Sequence, residues 1–186
     1  MVRIISFDPS STKMGYAVLD WDSKTGMITV VDVGTLHGQK LEREKRKQLG
    51  DVLDKRMTLL YAYGDIVEEL FLKYKPDEVV SESPFQYKFP AAFGSLTLIV
   101  NCIARKTWEV LGKMLHTIAP MAGKKGMTGR GDAKKDDVQH AIETDPLLSY
   151  SGDWAKIDDN GFDAVGVGVA FLRTIYPALL ATRIQI

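Results

Sequence analysis

Hydrophobic and polar positions divide this chain into short apolar runs and longer stretches with helical spacing. Residues 2–7 form an apolar run suited to a buried strand, and Asp8-Pro9-Ser10-Ser11 ends it as a turn. Residues 15–20 predict a second strand and residues 27–33 a third, joined by a hairpin-like loop that closes on Gly26. Across residues 41–74, Leu49, Val52, Leu53, Leu59, Leu60, Tyr63, Ile66, Val67, Leu70 and Phe71 recur at helical spacing. One long helix is expected there, with Gly50 and Gly64 as candidate interruptions. Pro76 closes it, and residues 77–81 predict a fourth strand. Residues 91–111 predict a helix, 114–119 a fifth strand, and 133–143 a helix with Asp132 as its N-cap. A loop carrying Pro146, Gly152 and Gly161 leads to a last helix over residues 162–175.

Three antiparallel-looking strands followed by alternating helices and strands describe an α/β fold with a mixed five-stranded sheet. No repeat, low-complexity tract or linker divides the chain, so residues 1–186 are expected to fold as a single domain. With 45% apolar and 26% charged residues, the composition excludes a disordered or collagen-like chain. The single cysteine, Cys102, cannot close an internal disulfide and suggests a reducing compartment. An acidic residue at position 8 argues against a signal peptide, and the apolar run before Arg173 is too short to span a membrane. A soluble, cytoplasmic protein with no membrane partner is expected.

Three carboxylates stand where core residues would be expected. Asp8 ends the first strand, Glu82 ends the fourth, and Asp163 opens a helix that continues Ala164-Val165-Gly166-Val167-Gly168-Val169-Ala170. An unpaired charge in such places is costly, and a shared divalent cation would compensate it. If the two strand ends are neighbours, Asp8 and Glu82 lie side by side. Ala164, Gly166 and Gly168 would then let the last helix approach closely enough for Asp163 to join them. Oxygen ligands favour Mg²⁺ or Mn²⁺, and a pair of such ions suits phosphodiester hydrolysis. The competing readings are an Asp-Pro turn for Asp8, a solvated strand end for Glu82, and a helix-start acid for Asp163.

Residues 124–139 sharpen the choice. Their pattern Thr128-Gly129-x-Gly131-x-Ala133-x-Lys135, followed by Val138-Gln139, resembles the signature of RuvC-type Holliday junction resolvases. Phe7-Asp8-Pro9-Ser10 resembles that family's opening Asp-Pro-Gly motif, with Ser10 in place of glycine. Residues 77–85 are similar to its second acidic strand, and Gly161-Phe162-Asp163-Ala164 to the start of its last acidic helix. The four matches run in family order along nearly the whole chain, and a phage-type member is among the readings. The resemblance implies an RNase H-like fold and a homodimer in a bacterial or phage-infected cell. It also implies two Mg²⁺ ions per site and paired nicking of opposed strands at a four-way junction, in recombination and repair.

Carried onto this sequence, the resemblance makes Asp8, Glu82 and Asp163 metal ligands and places Lys124 and Lys135 beside the scissile phosphate. Lys135 would fall in the first turn of its helix, where backbone N–H groups also favour phosphate. Phe85 corresponds to an aromatic that stacks on junction bases, against the alternative of a packing residue. Lys125, Arg130 and Lys134 join the DNA-binding set. A fourth ligand is expected three residues before Asp163, where Asn160 stands; Asp159 is the choice, sharing a helical face with Asp163 if the helix begins early enough. The stretch 145–160 is longer than usual for the family.

His37, His116 and His140 show no ligand spacing, and Cys102 reads as a small apolar residue. Trp108 is expected in the core, and Trp21 and Trp154 in loops. Glu42-Arg43-Glu44-Lys45-Arg46-Lys47 reads as a solvated helix face, with phosphate contact as its alternative. Other readings of the whole chain are a branched-DNA endonuclease cutting forks and flaps, an actin-like ATP-binding module, and a catalytically silent DNA binder.

Charge then refines this picture. Twenty-four Lys and Arg balance 24 Asp and Glu, which excludes a uniformly basic binder. Residues 105–135 nevertheless hold eight basic and two acidic residues (+6), and residues 136–163 one basic and eight acidic (−7). A DNA affinity falling steeply with salt is expected despite a pI near 6.8.

Overall fold

The apolar runs of the N-terminal half become strands, and alternate residues of each enter one of two cores. The computed structural model describes residues 1–85 and 90–177. Its strands are β1 (Val2–Asp8), β2 (Lys13–Trp21), β3 (Ile28–His37), β4 (Glu78–Glu82), β5 (Leu115–Ile118) and β6 (Leu148–Tyr150). Its helices are α1 (Gly38–Leu49), α2 (Lys55–Tyr74), α3 (Pro90–Leu111), α4 (Pro120–Thr128), α5 (Lys135–Glu143) and α6 (Asp159–Ala170). A π-helical turn, Phe171–Ile175, continues α6.

The sheet order is β5-β4-β1-β2-β3-β6. β1, β2 and β3 pair antiparallel, while β4 lies parallel to β1 and β5 parallel to β4. The expected mixed sheet is present, with six strands instead of five. The extra one, β6, falls in the stretch read as a loop and runs parallel to the start of β3.

One face of the sheet is covered by α4, α5 and α6. Ile4, Leu19, Val80 and Ile118 meet Ala164, Val165, Val169 and Ala170 there. The other face is covered by α2 and α3, where Ile5, Phe7, Val18 and Val79 meet Tyr63, Val67, Phe71, Ile99 and Ile103. Phe7 and Phe71 pack edge to face with centroids 6.3 Å apart.

Several expectations change. The helix expected over residues 41–74 is two: α1 stops at Gly50, whose φ of 70° is a backbone state that favours glycine, and Asp54 caps α2. Gly64 stays helical within α2. The 42–47 segment is not a uniformly solvated face. Glu42 is only 7% exposed and ion-paired to Arg46 at 2.5 Å, and Lys45 reaches Asp65 at 2.6 Å, because α1 packs against α2.

Asp132 does not cap α5. Its carboxylate pairs with Arg130 at 3.2 Å, and Lys134 holds the cap position, its backbone N–H donating to Asp137 at 2.9 Å. Trp108 lies on the outer side of α3 and is 62% exposed. Trp21 ends β2 and packs edge-on to Tyr176, while Trp154 stacks on Phe162 with centroids 5.7 Å apart. Both tryptophans are therefore packing residues. Cys102 is half-buried, its thiol directed at the Leu60 carbonyl, and His116 meets Glu78 at 3.0 Å. No helix among the described residues is long and apolar enough to cross a membrane.

Candidate active site

β1 and β4 run parallel with Phe7 opposite Ser81, which makes Asp8 and Glu82 the next pair along the same sheet edge. Period-2 alternation directs both to one face: Ile4, Ser6 and Asp8 share a side, as do Val80 and Glu82, and Ile4 and Val80 belong to the core beneath α6. Asp163 comes to them from above. The helix is drawn onto the sheet by a hydrogen bond from the Ser6 hydroxyl to the Ala164 carbonyl at 2.7 Å. A Cβ at Gly168 would stand 2.7 Å from Ser6 Oγ, so no larger residue fits at this approach. Of the small residues expected to allow it, Ala164 and Gly168 do so. Gly166 faces Val138 on α5 at an ordinary contact distance and has no part in the approach to the sheet.

Asp8, Glu82 and Asp163 line one cavity of about 260 Å³ together with Lys124 and Lys135. Lys124 stands on α4, a helix that the hydrophobic pattern does not predict. Pro120 at the first helical position and Gly129 with φ of 76° just past the last are the signals that mark this helix. Lys135 opens α5, as expected, and its ammonium donates to Asp163 Oδ2 at 2.6 Å. Pro120, Gly123, Met127, Val138, Gly166 and Val167 complete the wall; nothing polar in the sequence distinguishes them from core.

Electrostatics mark the cavity as short of positive charge. Burial, then the neighbouring carboxylates of Glu82 and Asp163, push the Asp8 carboxyl up to about 8, against the opposing pull of Lys135. Burial and Asp163 push Glu82 up to about 7, with Lys124 and Lys135 opposing. Partial burial works against the charge on Lys135, but its bond to Asp163 and the fields of Asp163, Asp159 and Asp8 outweigh it and raise its pKa. A hard, all-oxygen donor set with a deficit of positive charge fits a divalent cation such as Mg²⁺. Among the described residues no three acidic, histidine or cysteine side chains already enclose a cation, since Asp163 is turned to Lys135.

The other candidate residues lie outside the cavity lining. Asp158, not Asp159, caps α6: it accepts from the Gly161 backbone N–H at 3.1 Å and from the Thr35 hydroxyl at 2.5 Å. Asp159 is the first helical residue, exposed, one turn before Asp163, and outside the cavity lining. Asn160 hydrogen-bonds Asp158 at 3.3 Å. Phe85 is 59% exposed three residues beyond Glu82. Lys125, Arg130 and Lys134 are exposed around α4 and the start of α5, with Arg130 paired to Asp132. Ser10 meets the turn requirement of the glycine it replaces: its hydroxyl accepts from the N–H groups of Thr12 and Lys13 at 3.2 and 3.3 Å.

The chain is similar to known proteins along nearly its whole length. Residues 4–170 match the family model for the crossover junction endodeoxyribonuclease RuvC. The RuvC of Sulfurovum sp. (strain NBC37-1) is 24% identical over 177 residues, spanning 94% of this chain and 97% of that one. The RuvC of Helicobacter pylori (strain Shi470) is 26% identical over 179 residues, spanning 95% and 99%. Among solved structures, Thermus thermophilus RuvC in complex with a Holliday junction substrate superposes with a TM-score of 0.74 at 15% identity, covering 96% of each chain. The yeast mitochondrial Holliday junction resolvase Ydc2 does so with a TM-score of 0.68 at 8% identity, covering 92% of this chain and 78% of that one. At these identities the structural likeness establishes the shared fold.

Proposed function

The chain belongs to the RuvC family of crossover junction endodeoxyribonucleases, and from that premise we propose that it is a metal-dependent nuclease resolving four-way DNA junctions by paired nicks in opposed strands. The observation that carries this reading is the cavity in which Asp8, Glu82 and Asp163 meet Lys124 and Lys135. Family membership also sets aside the actin-like reading. We read residues 1–186 as one nuclease domain.

Asp8, Glu82 and Asp163 are the residues that would hold Mg²⁺ or Mn²⁺, two ions per site, with Asp159 reaching in from the first turn of α6. Such ions supply activation of the attacking water and charge at the leaving oxygen. Lys135, paired with Asp163 at 2.6 Å, would offer its ammonium to a phosphate oxygen of bound DNA. The positive end of the α5 dipole adds to that attraction. Lys124 faces the same phosphate from α4. Lys125, Arg130 and Lys134 lie along the adjoining surface as backbone contacts, which sort as positioning and not sequence readout. Phe85 offers an exposed ring for stacking on an unpaired base, worth roughly 1–3 kcal/mol.

Paired nicking needs two sites held together, so we infer a homodimer. The supporting feature is a groove between α2 and α3 where Met57, Tyr61 and Leu98 are exposed at the seam.

The test is incubation of labelled four-way junctions, forks and linear duplex in Mg²⁺, beside an Asp8→Asn variant. Symmetric nicks on the junction alone are expected, with Asp8→Asn reduced by more than the roughly 10–100-fold that loss of an outer-shell partner costs. Equal cutting of forks would replace the reading by a general branched-DNA endonuclease. Undiminished cutting by Asp8→Asn would overturn the metal site.

A further inference from the structure

Outside the catalytic cavity, the described residues form a strongly cationic groove of about 560 Å³ between α1 and the edge of the sheet. It is lined by Lys13 at the start of β2, His37 at the end of β3, and Lys40, Arg43 and Lys47 on α1, with Glu44 as its one carboxylate. Lys40, Arg43 and Lys47 follow at three and four residues and so share one helical face. We propose that this groove is a second phosphate-binding track, which carries a DNA arm away from the scissile strand. This rests on the nuclease reading given above.

The division of labour along α1 is the first support. Its inward cations are consumed within the protein: Arg46 by Glu42 and Asp51, and Lys45 by Asp65. Among the described residues, Lys13, Lys40, Arg43 and Lys47 form no ion pair, and all four are exposed. A helix with two unpaired cationic turns along a concave wall presents a charge spacing suited to a polyanion. If the groove served only solubility, nothing would require its cations to converge on a concavity.

Position is the second support. Asp8 pairs with Gly15 on β2, and Gly15 with Thr35 on β3; two residues on, Lys13 pairs with His37. The groove therefore opens at the same end of the sheet as the carboxylates, two strand spacings or about 10 Å across. Thr35 also bonds to Asp158 at the start of α6, which ties the strand that ends in His37 to the helix that carries Asp163. A duplex arm, with a charge about every 1.7 Å of axis, readily bridges such a gap. The basic loop around Arg130 and the groove then contact different parts of one branched substrate.

The test is equilibrium binding of a labelled, immobile four-way junction in EDTA over a salt series, so that no cleavage occurs. The Lys40→Ala/Arg43→Ala/Lys47→Ala variant should bind about tenfold or more weakly at moderate salt. Its slope of log affinity against log salt should fall by about 2.7, or about 0.9 for each phosphate no longer neutralised. The single Arg43→Gln variant, which keeps the helix, should reduce the slope by about 0.9. Lys24→Ala, in the hairpin at the far end of the sheet, should match the wild type. A triple variant with wild-type affinity and slope overturns the groove. Linear duplex run in parallel separates the two readings. A wild type that cuts junctions, beside a triple variant that binds them equally well, sinks the groove and leaves the nuclease standing. A wild type blind to branching, whose duplex binding still depends on the three residues, sinks the junction reading and leaves the groove standing.

Discussion

The two faces of the sheet are packed by opposite means. Beneath α6 the closest approaches to the strands are made by small residues, Ala164 over Gly15 and Gly168 over Ser6 and Leu19, and the helix is bonded to β1 through Ser6 and the Ala164 carbonyl. Beneath α2 and α3 they are large: Tyr63, Phe71, Ile99 and Ile103 fill the space above Phe7 and Val18. The large-residue face builds stability by burying area and tolerates helices standing farther from the sheet. The small-residue face gives up some of that area to bring a helix close, and only this proximity lets Asp163 share a cavity with Asp8 and Glu82. The proposed site therefore lies on the closely approached face, and the opposite face serves as scaffold.

Substitutions on the two faces should dissociate. Gly168→Val pushes α6 off β1, and a misplacement near 1 Å in a positioned site costs on the order of 100-fold in rate. Junction nicking should fall by that amount or more, while overpacking costs only about 1–3 kcal/mol in stability. Gly166→Ala, two residues away against Val138 at 3.5 Å, should fold as well as the wild type. Phe71→Ala on the opposite face should cost about 3–5 kcal/mol in denaturant melts. The surviving folded fraction should still nick at a near-native rate. Loss of nicking without loss of stability in Phe71→Ala would break the division between the faces.

Protons offer a gentler probe. Asp8 and Glu82 sit near 8 and 7, whereas unfolded carboxyls titrate near 4. Between those limits the native state keeps protons that the unfolded chain has released. Metal-free protein should therefore lose stability as pH rises from about 4 to about 8. Asp8→Asn should flatten that decline, each kcal/mol relieved raising the melting midpoint by about 2–4 °C. Mg²⁺ should raise the midpoint more at pH 8 than at pH 5, because it replaces the protons. A midpoint that rises with pH in EDTA would contradict the burial of these two carboxyls.

Much of this was legible in the residues, for reasons that also explain the failures. Asp8, Glu82 and Asp163 stood out because each interrupts an apolar run, and apolar runs are what strands and buried helices leave in a sequence. β6 left no such run: Leu148-Ser149-Tyr150 is three half-buried residues, held as a strand by pairing with β3 and by nothing local. α4 was obscured because Gly123 and Gly126 lower its helical propensity, although Pro120 and Gly129 punctuate both its ends. Glu42 and Trp108 were misplaced for a shared reason. Periodicity tells which residues lie on one side of a helix but not what, if anything, covers that side. α2 covers Glu42, whereas Trp108 stays exposed on the outer side of α3.

The smallest expected effects separate three adjacent residues at the start of α6, where cap and ligand compete for one turn. Asp158 is engaged by the Gly161 N–H, the Thr35 hydroxyl and the Asn160 amide, so its carboxylate is committed to the fold. Asp158→Ala should lose about 1 kcal/mol, the usual cost of a deleted N-cap. Its nicking should fall only as far as α6 frays. Asp159 has no bond to surrender among the described residues, so Asp159→Asn should melt with the wild type yet need more Mg²⁺ for half-maximal nicking. Asn160→Ala should do neither, beyond loosening Asp158 slightly. Should the Mg²⁺ requirement move with Asn160→Ala and not with Asp159→Asn, the fourth oxygen belongs to the amide, which can offer its Oδ1 while its Nδ2 still donates to Asp158.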